Sequence, residues 1–385
     1  MQRSFWLALA AALGVSLHAA AQEAQPKRRA ATPARQGAKA DEPIDFARAR
    51  ELRQKRQSGG KLTPDEESFV QKAEAAVRAK GRPAIAEVEK TGFKPLTEMT
   101  ADDRYKGEDG GLYGQGQNTP PAELKKAAEV ELAKIAPLDK DGQPSPTGTI
   151  AFVSISMSNA TQEFSTFKPL ADRDAARSPR VTIVDCAQGG QAMAQWVDPK
   201  ALAWQEADRR LSAVNVSPQQ VQVAWVKLAN VQPRGDLKEH GEKLQKDTTA
   251  LLQNAKARFP NLRIAYLGSR IYGGYTAGAL NPEPYAYEGA FVVRWLIRDQ
   301  MKGETALNHD AAKGEVKAPL LLWGPYFWGD GVTPRKSDGL VWKREDLRED
   351  GTHPSQSGKD KVARMILDFC KTDPLAKPWF TGSAK

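Results

Sequence analysis

From residue 149 onward the chain repeats one pattern five times: a short, nearly unbroken apolar run, then a longer stretch with helical spacing. The runs are TIAFVSIS (149–156), RVTIVD (180–185), VQVAWVKL (221–228), LRIAYLG (262–268) and APLLLWG (318–324). A half-exposed strand alternates apolar and polar residues; these runs hardly do, so both of their faces must be covered. Between and after them lie PKALAWQEADRRLSAV, DLKEHGEKLQKDTTALLQNAKARF, PYAYEGAFVVRWLIRDQM and the closing SGKDKVARMILDFC, which carry apolar residues at helical intervals. Strands joined through helices pair in parallel and place those helices on both faces of the sheet. The pattern predicts a three-layer α/β/α domain with a five-stranded parallel sheet over residues 148–371. In such open sheets chemistry gathers beyond the carboxyl ends of the strands.

The first 147 residues have a different texture. MQRSFWLALAAALGVSLHAAAQ places Arg3 before an apolar run and small residues at Ala19, Ala20 and Ala21, which reads as a secretory signal over 1–21. Export to a periplasm or the exterior is the expectation. The run is too short to span a bilayer, and no later stretch approaches about 18 apolar residues, so no transmembrane segment is expected. A Pro/Ala/Gln-rich stretch over 22–42 reads as a disordered linker. Residues 43–147 read as a helical extension ending in a Gly-rich loop. Within it DFARARELRQKRQSGG and TPDEESFVQKAEAAVRAKG suggest a helical hairpin, the second helix opening on Thr63 as N-cap, Pro64 and Glu66 as a capping box. Residues 372–385 are left as a C-terminal tail.

The net charge of +9 owes much to Lys27, Arg28, Arg29, Arg35 and Lys39 and to the basic cluster from Arg48 to Arg56. In an exported chain this points to a solvated linker or attraction to an anionic cell surface rather than to nucleic acid. The two cysteines, Cys186 and Cys370, exclude a small disulfide-stapled scaffold; they either pair or stay buried as thiols. No GxGxxG opens a helix after a strand, and no Walker sequence is present.

The four histidines narrow the chemistry. His18 falls in the signal, and neither an HExxH nor a Cys/His cluster exists, so a zinc site of several histidines is not expected, while a carboxylate-rich Ca²⁺ or Mg²⁺ site stays open. His240 in a helical stretch and His309 in a polar connection are expected to face solvent. His353 differs, because it stands in DGTHPSQSGKDKVA, three residues after Asp350 and one before Pro354, just ahead of the last helix. That separation lets a carboxylate reach the imidazole Nδ1 and leave Nε2 free to accept a proton. At the end of the first strand SISMSNATQEF places Ser158 on the turn into a helix, where a hydroxyl meets unpaired backbone amides. Ser154 and Ser156 share its parity and stay open as alternatives. The second strand ends in DCAQGGQA, where Gly190, or Gly189, permits close backbone approach and can offer an amide. Beyond the third strand, VKLANVQP brings Lys227 and Asn230 to the same edge.

This order of blocks resembles the SGNH (GDSL-like) hydrolase superfamily, in particular its exported carbohydrate-esterase-like members, over residues 148 to 371. The resemblance implies a flavodoxin-like three-layer fold with Ser158 as nucleophile, His353 as general base and Asp350 orienting it. It also implies an oxyanion hole from Gly190 and Asn230, with Lys227 as an alternative donor. The chain departs from the family pattern at Met157, where Asp usually precedes the serine, at Ser156 in place of Gly, and at Leu228 in place of a Gly before the Asn. The implied function is hydrolysis of acyl esters, acetyl above all, on a carbohydrate or another small ester, chemistry that requires neither a metal nor an organic cofactor. A non-catalytic carbohydrate-binding protein is the alternative. For substrate contacts the sequence offers Asn159 beside the serine and aromatics after the fourth and fifth strands, Tyr326 and Trp328 among them. Such rings either line a sugar groove or pack under a loop.

Overall fold

Apolar runs that must be covered on both faces pair inside a sheet, and all five do so. The computed structural model describes residues 45, 48–49, 51–52, 62–79, 87–276 and 278–382. Its strands are β1 (Ile150–Ile155), β2 (Val181–Asp185), β3 (Val221–Lys227), β4 (Ile264–Gly268) and β5 (Leu320–Trp323), each inside one of the predicted runs. Every pairing is parallel, in the order β2-β1-β3-β4-β5. All residues of β1, β3, β4 and β5 are buried, and only β2 keeps half-buried positions, at Thr182 and Asp185.

Helix α3 (Ser158–Asp172) links β1 to β2 and packs on α7 (Gln356–Thr372), while α5 (Leu237–Arg258) links β3 to β4 and packs on α6 (Tyr285–Met301). Because the chain leaves β1 in one direction along the sheet and β3 in the other, right-handed crossovers carry α3 and α5 to opposite faces. The result is the three-layer α/β/α arrangement, with α4 (Leu202–Ala213) beside β2 and α2 (Ala122–Leu132) packed against β4 and β5. The reversal of strand order falls between β1 and β3. A crevice opens outside the carboxyl ends of strands at such a point, so the residues after Ile155 and Lys227 are brought to a natural binding position.

The chain divides into two compact units, Met1–Lys80 and Gly81–Lys385. In the first, α1 (Pro64–Ala79) begins with the expected capping box: Thr63 N donates to Glu66 Oε2 at 2.8 Å and Glu66 N to Thr63 Oγ1 at 3.2 Å. The expected signal, the expected linker and most of the expected first helix of the hairpin lie outside the described residues. The second unit reaches back well beyond the expected start at 148. Thr91 N and Gly92 N donate to the buried Asp330 at 2.6 and 2.8 Å, and Leu96 N donates to Tyr326 Oη at 3.1 Å, so residues 87–147 are woven onto the sheet domain. At the other end the expected tail forms α8 (Lys377–Thr381), whose Trp379 and Phe380 are buried, Trp379 edge-on to Phe152 of β1. Cys186 and Cys370 are both free and buried, and burial pushes both thiols well above their ordinary range. Among the described residues no helix is long and apolar enough to cross a membrane.

Candidate active site

After β1 the backbone stays extended through Met157 and turns into α3 at Ser158. Thr161 is the residue whose amide closes the first helical turn, on Met157 O at 3.1 Å, so the amides of Ser158 and its two successors precede the helical ladder. Across the crevice the segment ahead of α7 brings His353 to the same place. His353 Nε2 lies 2.8 Å from Ser158 Oγ, and His353 Nδ1 lies 2.5 Å from Asp350 Oδ2. Asp350 Oδ1 accepts the backbone amides of Thr352 and His353, each at 2.9 Å. Burial pushes the Asp350 carboxyl up, but the hydrogen bonds from the His353 ring and these two amides outweigh it and hold the group well below the usual carboxylate range. An ionised Asp350 must accept from Nδ1, which leaves Nε2 as the acceptor for the serine proton.

The loop that carries Asp350 and His353 is tightly held. Gly351 sits at φ +62°, and a Cβ there would come within 1.5 Å of Tyr275 O, so only glycine fits between Asp350 and Thr352. Thr352 is buried, its hydroxyl 3.2 Å from that of Thr276, and Pro354 bridges to Leu347. Asn159, expected at the substrate, is instead 1% exposed and donates its side-chain amide to Thr352 O at 2.7 Å. It ties the helix bearing Ser158 to the loop bearing His353.

The alternative serines are committed elsewhere. Ser154 Oγ donates to Asp185 Oδ1 at 2.5 Å, and the buried Ser156 Oγ donates to Lys227 O. Of the oxyanion candidates, Gly190 is exposed with φ +78° and open space around its Cα, while Gln188 N donates to Ser156 O at 2.9 Å and anchors that loop beside the end of β1. Asn230 is buried, with Oδ1 accepting from Ala194 N at 3.0 Å and Nδ2 donating one hydrogen to Asp247 at 2.7 Å. Lys227 does not present its ammonium at the edge. It is fully buried, with Nζ 2.6 and 2.5 Å from the two oxygens of Glu163 on α3 and 5.3 Å from the centre of the Phe327 ring. Burial pushes Lys227 down to about 8 and Glu163 up, each against the pull of its partner. A charge buried at the end of a strand covered on both faces requires a counter-ion, but nothing local in the sequence marks Glu163, 64 residues away, as that partner.

Arg270, just beyond β4, joins this buried layer. It is 2% exposed, its Nε has no partner, and one amino group reaches Thr352 O at 3.5 Å. The aromatic residues do not form a rim. Trp328 is fully buried with Nε1 donating to Glu283 at 2.8 Å, and Tyr326 is 5% exposed with its hydroxyl turned to Leu96. Tyr272, Tyr275 and Tyr287 likewise end on backbone carbonyls of Val88, Trp342 and Lys94. Long loops around the sheet are thus held by ring packing, and the expected substrate contacts of Tyr326 and Trp328 give way to a structural role. His240 is also not solvent-facing: it is buried, with Nε2 2.5 Å from Glu288 Oε2. His309 is half-buried. Among the described residues no cluster of His, Cys, Asp and Glu could hold a metal ion. A cavity of about 660 Å³ lined by Lys106, Glu108, Trp295 and Arg298 includes none of the residues that meet at Ser158.

Fold and site together define a parallel α/β protein with a serine, histidine and aspartate linked in one hydrogen-bonded chain at the sheet's carboxyl edge. No family model matches the chain, and no curated protein matches it. Among solved structures it is similar to a candidate acylhydrolase of Bacteroides fragilis, at 14% identity, TM-score 0.35, over 68% of this chain and all of that one. It is also similar to a salicylyl-acyltransferase from a tetracycline biosynthetic pathway, at 13% identity, TM-score 0.30, over 60% and 58% of the two chains. A third is the periplasmic domain of a Salmonella lipopolysaccharide acetyltransferase, at 11% identity, TM-score 0.28, over 64% and 96%.

Proposed function

We propose that the chain is an exported serine hydrolase that removes acyl groups, acetyl above all, from a carbohydrate ester. The observation that carries this reading is the chain of hydrogen bonds Ser158–His353–Asp350 at the start of α3. Ser158 Oγ attacks the ester carbonyl as its proton passes to His353 Nε2. Asp350 keeps the ring in the tautomer that can accept that proton and stabilises the imidazolium. Negative charge developing on the carbonyl oxygen falls at the N-terminus of α3, where unpaired amides and the helix dipole favour it, with the backbone amide at Gly190 and the second amide hydrogen of Asn230 as further donors. His353 returns the proton to the leaving sugar hydroxyl, giving an acyl-serine, and then activates water to release the acid and restore Ser158.

The Glu163–Lys227 pair and Arg270 support the site from below rather than touch substrate. The signal-like segment at 1–21 and the basic linker fit a site of action on an exported or cell-surface glycan. Labelling of the full chain with a fluorophosphonate, followed by peptide mapping, tests the reading. Modification of Ser158, abolished in Ser158→Ala, is expected. A folded protein that takes no label would count against the hydrolase and favour the reading as a carbohydrate-binding protein.

A further inference from the structure

Directly beyond Asn230 lies a cavity of about 280 Å³ of which the proposed chemistry uses only Asn230 itself. Its wall includes Asn230, Pro233, Arg234, His240, Leu244 and Asn281. It opens on the same β3 end as the crevice, at the topological switch of the sheet. Two buried groups in its wall each keep one polar atom without a partner among the described residues. Asn281 is 5% exposed, its Oδ1 accepts nothing, and its Nδ2 makes a long 3.5 Å contact to Asn230 O. His240 is held with its ring edge-on to Tyr285 and its Nε2 on Glu288, a carboxylate that also takes Tyr105 Oη and Lys106 Nζ, each at 2.7 Å. Burial pushes Glu288 up, but these three donors outweigh it and keep it ionised. The ring therefore donates from Nε2, and Nδ1 is left with no partner among the described residues. An imidazole oriented this firmly by a carboxylate, outside the triad, is suited to meet a hydroxyl, which can either donate to it or accept from it.

We propose that this cavity is a subsite for one neutral sugar ring of the substrate whose ester Ser158 cleaves, an inference that rests on the hydrolase reading. Its size, just below the ~300–1,000 Å³ of pockets for drug-sized ligands, suits a single ring rather than a long chain. Its chemistry is matched to a polyol. His240 Nδ1, the Asn281 amide oxygen and the donors of Arg234 meet hydroxyls, while Val231, Pro233 and Leu244 offer apolar surface to C–H faces. The charges compensate, which disfavours an anion: Lys243 is paired with Asp247 at 2.8 Å, and Arg234 shares the wall with Glu239. Leaving these buried polar atoms unmatched penalises any ligand without hydroxyls.

Titration calorimetry of the full chain carrying Ser158→Ala with xylotriose, cellotriose, chitotriose and maltotriose tests this. At least one trisaccharide is expected to bind saturably, and Arg234→Ala or His240→Gln to weaken it at least tenfold. Arg234 is exposed, so its variant keeps the test sound if the His240 variant unfolds. No binding by any of the four, unchanged binding in a folded Arg234→Ala and His240→Gln pair, or binding of inorganic phosphate or acetate in their place overturns the proposal. The two readings fail separately. Trisaccharide binding without fluorophosphonate labelling of Ser158 removes the hydrolase and keeps the sugar site, whereas labelling without binding does the reverse.

Discussion

Replacing Asp350 with Asn probes a group whose two oxygens do different work. Oδ1 accepts two backbone amides, from Thr352 and His353, and Oδ2 faces His353 Nδ1 at 2.5 Å. An asparagine could set its NH₂ in either position. Turned toward the two amides it would lose both hydrogen bonds, so it is expected to keep its oxygen there and present NH₂ to the ring. Nδ1 must then become the acceptor, which moves the ring proton to Nε2 and points it at Ser158 Oγ. The base is lost while the loop survives. Loss of this orientation costs roughly 10⁴-fold in kcat in the best-studied triads. Here the aspartate side chain is 46% exposed, so water competes for the ring and softens the effect. The expected fall is about 10²- to 10³-fold in kcat, or about 2.7–4 kcal/mol in barrier, with KM for an aryl acetate nearly unchanged. Steady-state kinetics and thermal unfolding on the same variant provide the check. A kcat within about threefold of the parent on a protein of unchanged Tm would refute the orienting role.

Three further outcomes follow from the surroundings of the site. Lys227→Met strands Glu163 in a fully buried position and is expected to lower stability by about 3–5 kcal/mol in denaturant titration, while Glu163→Gln combined with Lys227→Met recovers much of the loss; additive damage would contradict a paired role. Trp328→Ala opens a cavity under the loops and removes a donor from Glu283, so stability falls by roughly 3–5 kcal/mol and hydrolysis of aryl acetate and of acetylated oligosaccharide falls together; selective loss on the oligosaccharide would return this ring to the substrate. Gly351→Ala drives a methyl into Tyr275 O, so esterase activity should drop with the loop's order, read as faster amide exchange around Thr352; normal turnover would show that the loop can relax.

The sheet was legible in the sequence because burial on both faces leaves a long apolar run, and the five strands differ from the five runs only by a residue or two at their ends. Thr63, Pro64 and Glu66 were legible for a similar reason, since a capping box is a local structure that needs no distant partner. Asp350 and His353 could be paired on paper because three residues on one loop fix their reach. Everything that depends on which distant groups meet had to await the tertiary structure. Lys227 looks like an edge donor until Glu163, 64 residues away in sequence, is seen to neutralise it. Asn159 looks like a substrate contact until Thr352 O takes its amide, and His240 looks exposed until Glu288 takes its ring nitrogen. The aromatic residues after β4 and β5 carry no sign in the sequence of whether they pack or bind. Burial is a property of the assembled layers: the segment at 87–99, folded back over them, holds Tyr272, Tyr287 and Tyr326 inward, while Tyr275 and Trp328 are held by Trp342 and Glu283.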